Sequence, residues 1–231
     1  MRNSLSALIL AALLPIAASA TTYNPVTDFS TANNPNGVWS YGYGTPGNVT
    51  LFTYSGTNFS DATYNYGVTY WAPSQNGFPV LGTTTGVSIG TVNLLANELF
   101  MHPGPNSDSI LLFTAPTSGV YNVAGSFTRR DVSNGSGDGT IDSIFVNQMF
   151  QGAVFSGLTY GSSQSFFGSL SLNAGDVLTF DVNNNGTYYY DSTGLALDIS
   201  TAAPVPEPTS LALLGTGLAG LTGLVRRRRA S

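Results

Sequence analysis

Residues 113–128 read FTAPTSGVYNVAGSFT, and their pattern decides the fold class. The segment Ala115–Gly119 combines proline, glycine and small hydroxyl residues, which are typical turn formers. After it the chain alternates, with Tyr121, Val123, Gly125 and Phe127 on one side and Asn122, Ala124, Ser126 and Thr128 on the other. A period of two is the repeat of a β-strand. The segment therefore predicts the end of one strand, a turn and a second strand.

The same pattern extends over the rest of the chain between Thr21 and about Val205. Leu178, Phe180 and Val182 alternate with polar residues, and Asn173–Asp176 is a turn signal ahead of them. Roughly ten short runs of this kind, without a sustained helical period, are typical of an antiparallel β-sandwich. We therefore predict an all-β, jelly-roll-like sandwich over residues 21–200, followed by a linker at 201–205.

Charged residues are few and unevenly placed. The chain has no lysine and no cysteine, which excludes thiolate zinc sites and a cysteine nucleophile. Between the two ends, Arg129 and Arg130 stand against eleven acids, a formal net charge of −9. A nucleic-acid partner is not expected, because binding to phosphates needs clustered basic side chains.

The N-terminus has the organisation of a secretory signal peptide. Arg2 is followed by the apolar run Leu5–Leu14 and by Ala18 and Ala20, a small-x-small cleavage site. Residues 1–20 therefore predict a signal helix, export through the Sec translocon and removal by signal peptidase.

The C-terminus combines three features in a fixed order. Pro206, Glu207 and Pro208 precede the uncharged run 209–225, which is followed by Arg226, Arg227, Arg228 and Arg229. The run predicts a transmembrane helix, and the arginines are expected on its cytoplasmic side. Residues 206–231 closely resemble the PEP-CTERM sorting signal. That resemblance implies processing near Pro206–Pro208 by an exosortase, transient membrane anchoring, and delivery to the cell surface or an extracellular polysaccharide matrix.

The body carries a second resemblance. The segments FTAPTSGVYNVAGSF, SLSLNAGDVLTFDV and GLALDI are similar to the carbohydrate-binding-module and galactose-binding-like jelly rolls. In those folds a strand ends at Ala-Pro, a Gly-Val-Tyr turn begins the next one, and an Ala-Gly-Asp turn comes late. The resemblance implies a sandwich and carries over no binding residue.

Residues suited to catalysis are scarce. His102 is the single histidine, and Glu98 is the single glutamate of the body. A glycosidase needs a pair of carboxylates, and the spacing of the aspartates selects no pair. A hydrolase that relies on aspartates is therefore the least favoured alternative.

The composition of one loop predicts a calcium site. Residues 131–142 hold three carboxylates and an amide among glycines, and Ca²⁺ takes such oxygen ligands. The candidate ligands are Asp131, Asn134, Asp138 and Asp142. The same residue types are also ordinary turn formers, so a solvated loop is the alternative.

Aromatic residues predict a carbohydrate site, since sugars stack on flat rings. The candidates are Trp39, Tyr41, Tyr43, Tyr188, Tyr189, Tyr190 and Asp191. The first three share one face of a strand, and the last four follow an Asn-rich turn. Packing inside the sandwich is the alternative for all the rings.

The sequence therefore predicts a non-catalytic, exosortase-sorted protein of the exopolysaccharide matrix, with an adhesive or structural role. The alternative from the binding class is a calcium-assisted, lectin-like module for a defined carbohydrate.

Overall fold

The computed structural model describes residues 20–61, 63–132, 137–150, 155–157 and 161–201. They are all-β and contain no helix. Apart from Ala20 they lie in one compact unit, Thr21–Ala202. The strands are β1 (Thr22–Tyr23), β2 (Trp39–Thr45), β3 (Asn48–Leu51), β4 (Tyr54–Gly56), β5 (Thr69–Ala72), β6 (Val80–Thr83), β7 (Val87–Ile89), β8 (Val92–Leu94), β9 (Leu99–His102), β10 (Asp108–Thr114), β11 (Gly119–Arg129), β12 (Thr140–Val146), β13 (Met149–Phe150), β14 (Phe155–Gly157), β15 (Ser163–Leu172), β16 (Val177–Asn183) and β17 (Thr193–Thr201).

These strands form two large sheets and a hairpin. Sheet A has the order β15-β11-β17-β9-β6-β5-β4, with β1 paired to β17. Sheet B has the order β13-β12-β16-β10-β2-β3, with β14 paired to β12. The hairpin consists of β7 and β8, and every pairing is antiparallel. The predicted all-β antiparallel architecture is confirmed.

The main core lies between the sheets. Sheet A contributes the inward residues of β11 and β17, and sheet B contributes those of β2, β10 and β16. Tyr121, Val123 and Phe127 share the buried face of β11, as their period of two predicts. The Tyr121 hydroxyl donates to the Thr117 carbonyl at 2.7 Å, so this buried phenol is satisfied within the preceding turn.

A second apolar cluster lies beneath the loops around β5, β6 and β9. Its buried members are Phe59, Tyr66, Val68, Tyr70, Ala72, Val80, Val92, Leu94 and Phe100. Small clusters of this type fix long loops that the main core does not reach. This cluster is the floor on which the candidate site is built.

Several predictions for the chain ends concern residues outside this description. They include the signal peptide with Ala18, the transmembrane helix 209–225 and the arginines at 226–229. In the part of the chain that the structure describes, no helix is long and apolar enough to cross a membrane.

Candidate functional site

A pocket of about 350 Å³ opens among the loops that join the strands. This volume is in the range of small-molecule sites. The loop from β4 to β5, the hairpin of β7 and β8, strand β9 and the loop from β16 to β17 contribute to its walls. It is lined by Phe59, Asp61, Thr63, Tyr64, Tyr66, Phe78, Thr91, Phe100, His102, Asp131, Tyr188, Tyr189, Tyr190 and Ser192.

Aromatic rings make most of the pocket wall, and they contact one another in series. Phe59 lies 5.2 Å from Phe78, and Phe78 lies 5.8 Å from Tyr188, between ring centroids. Tyr188 and Tyr189 are 4.7 Å apart, with their planes 30° from parallel. Each ring is therefore held by another, which reduces the conformational freedom that a ligand would have to remove.

Two of the lining rings are exposed. Tyr189 is 59% exposed and Tyr64 is 39% exposed. Tyr64 lies against Gly90 in the turn between β7 and β8, where a Cβ atom would come within 2.7 Å of the Tyr64 ring. Gly90 also has a φ of 57°, in the left-handed region that favours glycine. These exposed rings offer flat apolar faces to a ligand.

His102 stands in the pocket wall as a neutral imidazole. Burial lowers its pKa, an effect that the Pro103 carbonyl and the carboxylates of Asp131 and Asp61 oppose. Its Nδ1 lies 2.7 Å from the Pro103 carbonyl oxygen, so Nδ1 donates and Nε2 is left as an acceptor. The Phe78 ring packs on the imidazole at 4.6 Å.

Asp61 organises the loop that carries Tyr64 and Tyr66. Its Oδ1 accepts from the backbone N–H groups of Thr63 and Tyr64, and its Oδ2 accepts from the Tyr66 hydroxyl at 2.5 Å. Desolvation acts to raise the pKa of Asp61, but these hydrogen bonds outweigh it and the pKa is lowered. Asp61 is therefore an ionised carboxylate in the wall.

Asp131 and the tyrosine loop are connected by Arg129. The buried Arg129 guanidinium donates through Nε to the Asp131 carbonyl at 2.9 Å and through Nη2 to the Tyr190 carbonyl at 3.1 Å. The Asp131 side chain accepts from Ser192 at 3.1 Å through Oδ2. Its Oδ1 is buried and has no hydrogen-bond partner among the described residues. Tyr190 has a φ of 66°, an uncommon value for a bulky residue, and such values concentrate at functional sites.

The structure divides the predicted carbohydrate-binding residues into two groups. Tyr188, Tyr189 and Tyr190 line the pocket together. The prediction is wrong for Trp39, Tyr41 and Asp191, because they are at most 1% exposed and cannot reach a ligand in solvent. Tyr43 is half-buried and stacks on Phe52 at 5.2 Å, and its role stays a prediction. The shared strand face of Trp39, Tyr41 and Tyr43 is real, but it is the face turned to the core.

The candidate calcium ligands occupy different environments. Asp138 accepts from the backbone and hydroxyl of Thr187 at 3.1 Å each. Asp142 is fully buried on β12, and Asn134 lies outside the described residues. No group of three or more acidic or histidine side chains in the described ranges is arranged to hold a metal ion. Calcium binding stays a prediction.

Several carboxyl groups near the pocket and in sheet B are buried without full hydrogen bonding. Desolvation raises the pKa of Asp181 to about 9 and that of Asp191 to about 8, and it raises the pKa of Asp142 well above its ordinary value. Neighbouring aspartates add to each shift. Asp181 and Asp191 therefore hold protons at neutral pH, and burial shifts Asp142 in the same direction.

Sequence reasoning missed most of the pocket. Phe59, Asp61, Tyr64, Tyr66 and Phe78 gave no recognisable motif, because the pocket is assembled from segments far apart in the chain. The one available signal was the density of tyrosine around residues 64–70.

The chain matches a known sorting motif and has distant neighbours among solved structures. A carbohydrate-binding module of family 51 from Clostridium perfringens, solved with methyl-galactose, has 8% identity and a TM-score of 0.37, and the match covers 78% of this chain and 100% of that one. A family 35 carbohydrate-binding module from Paenibacillus barcinonensis has 15% identity and a TM-score of 0.30, with coverage of 79% and 99%. Rabbit GITRL has 14% identity and a TM-score of 0.28, with coverage of 44% and 75%.

These neighbours include the modules that the body resembles in sequence, but similarity at this level transfers no ligand. No curated protein matches the chain. Residues 204–229 match the PEP-CTERM protein-sorting motif, as predicted. The chain therefore carries the sorting signal of an exported, exosortase-processed protein of the cell surface.

Proposed function

We propose that the sandwich domain is a non-catalytic carbohydrate-binding module that the C-terminal motif delivers to the cell surface, where it attaches to extracellular polysaccharide. The observation that carries the proposal is the aromatic pocket, with Tyr189 and Tyr64 exposed among fixed rings. Pyranose rings present apolar C–H faces that stack on such side chains.

Polar groups in the same walls complement the hydroxyl groups of a sugar. His102 offers Nε2 as an acceptor, and Asp131 offers Oδ1, which has no partner in the described part of the chain. A pocket with an apolar lining and a few fixed polar groups is the usual design of a small-ligand site. These features support binding, whereas the Nδ1 proton of His102 is committed to a backbone carbonyl rather than to a nucleophile.

The Tyr189→Ala substitution tests the proposal. For a polysaccharide that the unsubstituted chain binds, we expect the affinity to fall by roughly tenfold or more, because an exposed stacking surface is removed. Folding should be unaffected, since the Tyr189 ring is 59% exposed. Isothermal titration of the purified chain against neutral, basic and acidic polysaccharides measures the change.

Phe167 supplies a matched control. It is 81% exposed on β15 and does not line the pocket. Phe167→Ala should leave binding unchanged. Equal losses in both variants would indicate non-specific adsorption to aromatic surface, and no binding to any polysaccharide would refute the proposed function.

The sorting motif gives a separate prediction. Deletion of residues 206–231 should move the protein from the cell fraction to the medium, because the Pro-Glu-Pro segment and the arginine cluster are lost together. Immunoblots of cells and medium measure the distribution. Tyr189→Ala in the full chain is the control and should stay with the cells. Normal retention of the deletion variant would contradict a sorting role for the tail.

A further inference from the structure

The charge of the pocket walls restricts which saccharides the site can accept. Asp61 and Asp131 are the acidic lining residues, and no arginine is among the described residues that line the pocket. The chain has no lysine. Arg129 points its Nε and Nη2 donors at the carbonyls of Asp131 and Tyr190, so these donors are engaged with backbone. Among the described lining residues, an acidic sugar would therefore meet carboxylates and no guanidinium group.

One carboxylate oxygen in the pocket wall, Asp131 Oδ1, accepts no hydrogen bond from the described residues. Asp131 is 4% exposed, and its Oδ1 finds no partner among the described residues, although Oδ2 accepts from Ser192. A buried acceptor without a partner destabilises the folded chain, and a charged acceptor does so more strongly than a neutral one. A ligand that brings a donor to Oδ1 would remove this cost, and a charged donor would remove most of it.

The aromatic lining favours the same type of ligand. The faces of tyrosine and phenylalanine rings carry negative electrostatic potential and attract cations. Tyr188 and Tyr189 lie together in one wall, and Tyr64 is exposed in the pocket lining. Carboxylates and ring faces in one pocket therefore select for positive charge on the ligand.

From this juxtaposition of Asp131 Oδ1, Asp61 and the tyrosine faces, we propose that the pocket recognises a saccharide residue bearing a free ammonium group, such as a 2-amino sugar in a deacetylated hexosamine polymer. The proposal rests on the proposed carbohydrate-binding function and narrows its ligand class. Protons on Asp181 and Asp191 offset only part of the formal charge of −9 between the two terminal segments, and the remaining negative charge adds long-range attraction for a polycationic chain.

The test compares two ligands that differ only at nitrogen. A β-1,4-glucosamine tetramer and its N-acetylated counterpart share ring and linkage, but only the first carries ammonium groups. We expect the purified chain to bind the glucosamine tetramer about tenfold more tightly, and raising the salt concentration should reduce that preference. Equal affinity, or tighter binding of the acetylated tetramer or of a galacturonate tetramer, would overturn the inference.

The Asp131→Asn substitution tests whether Asp131 causes the preference for the glucosamine tetramer. Asparagine keeps an acceptor for Ser192 and removes the charge, so affinity for the glucosamine tetramer should fall about tenfold and affinity for the acetylated one should change little. An equal loss of affinity for both tetramers would overturn the proposed role of Asp131. If this variant does not fold, the ligand ratio and salt dependence of the unsubstituted chain decide the inference.

The two levels of the proposal fail differently. Binding of neutral polysaccharides without a preference for ammonium would leave the carbohydrate-binding function and reject the amino-sugar ligand. The absence of binding to all tetramers and polysaccharides would reject both.

Discussion

Trp39→Ala should lower the free energy of unfolding by about 3–5 kcal/mol, the usual range for removing a large aromatic side chain from a core. Trp39 is 1% exposed, and its ring lies 5.3 Å from that of Phe113 on the neighbouring strand. Its indole N–H donates to Asp28 at 3.1 Å, so the substitution also leaves a carboxylate without this donor. Denaturant unfolding monitored by circular dichroism measures the loss.

Two further variants separate packing from ligand binding. Trp39→Phe keeps a ring beside Phe113 and should lose less stability than the alanine variant. Tyr189→Ala should change stability by no more than about 0.5 kcal/mol, as is usual for exposed positions. If Trp39→Ala left unfolding unchanged and reduced polysaccharide binding, the placement of Trp39 in the core would be wrong.

The period of two predicted much of the sandwich from the sequence. It placed Tyr121, Val123 and Phe127 on one buried face of β11, and it placed Trp39 and Tyr41 together on β2. Alternation alone does not say which face of a strand meets the other sheet. Tyrosine and tryptophan suit a core and a ligand surface equally, so the assignment of Trp39 and Tyr41 to a binding face failed.

The candidate site was much less predictable than the fold. Tyr188–Tyr190 could be recognised because the three tyrosines follow an Asn-rich turn, a local signal. Asp61, His102 and Asp131 meet around the pocket only because antiparallel pairing brings distant loops together. Their proximity depends on long-range register, which no short motif in a single sequence encodes.

Buried carboxyl groups were the other surprise. Asp181 alternates with Phe180 and Val182, a pattern that predicts a solvent-facing side chain, yet it is 4% exposed. It lies opposite Ile110 on the central strand of sheet B and is hydrogen-bonded to Asp108. Two carboxyl groups bond to each other only through a proton, so this pair keeps one at neutral pH.

The buried carboxyl groups predict that stability falls as the pH rises. An aspartate in an unfolded chain has a pKa of about 3.9, whereas the folded pKa is about 9 for Asp181 and about 8 for Asp191. Below about pH 4 the protonated carboxyl groups make their full contribution to the free energy of unfolding. As the pH rises, this contribution is lost progressively until the groups ionise in the folded state as well. Each such group can reduce stability by up to about 1.4 kcal/mol per pH unit over this interval.

Thermal melting between about pH 5 and pH 9 measures the slope. Asp181→Asn should raise the melting midpoint at the alkaline end and flatten the slope, because asparagine stays neutral and can donate to Asp108. Asp198→Asn is the matched control, since Asp198 is exposed on β17 and accepts a hydrogen bond from Asn24. This control should keep the slope of the unsubstituted chain.

Melting with added calcium or with chelator distinguishes two ways in which the carboxyl groups around Asp142 could be neutralised, by protons or by a bound cation. If protons neutralise them, the alkaline loss of stability persists with added calcium or with chelator, and Asp142→Asn reduces it. If calcium restores the midpoint at alkaline pH and Asp142→Asn abolishes that restoration, a cation takes the place of the protons. Stability that is constant or increasing between about pH 5 and pH 9 would contradict the raised pKa values of Asp142, Asp181 and Asp191 altogether.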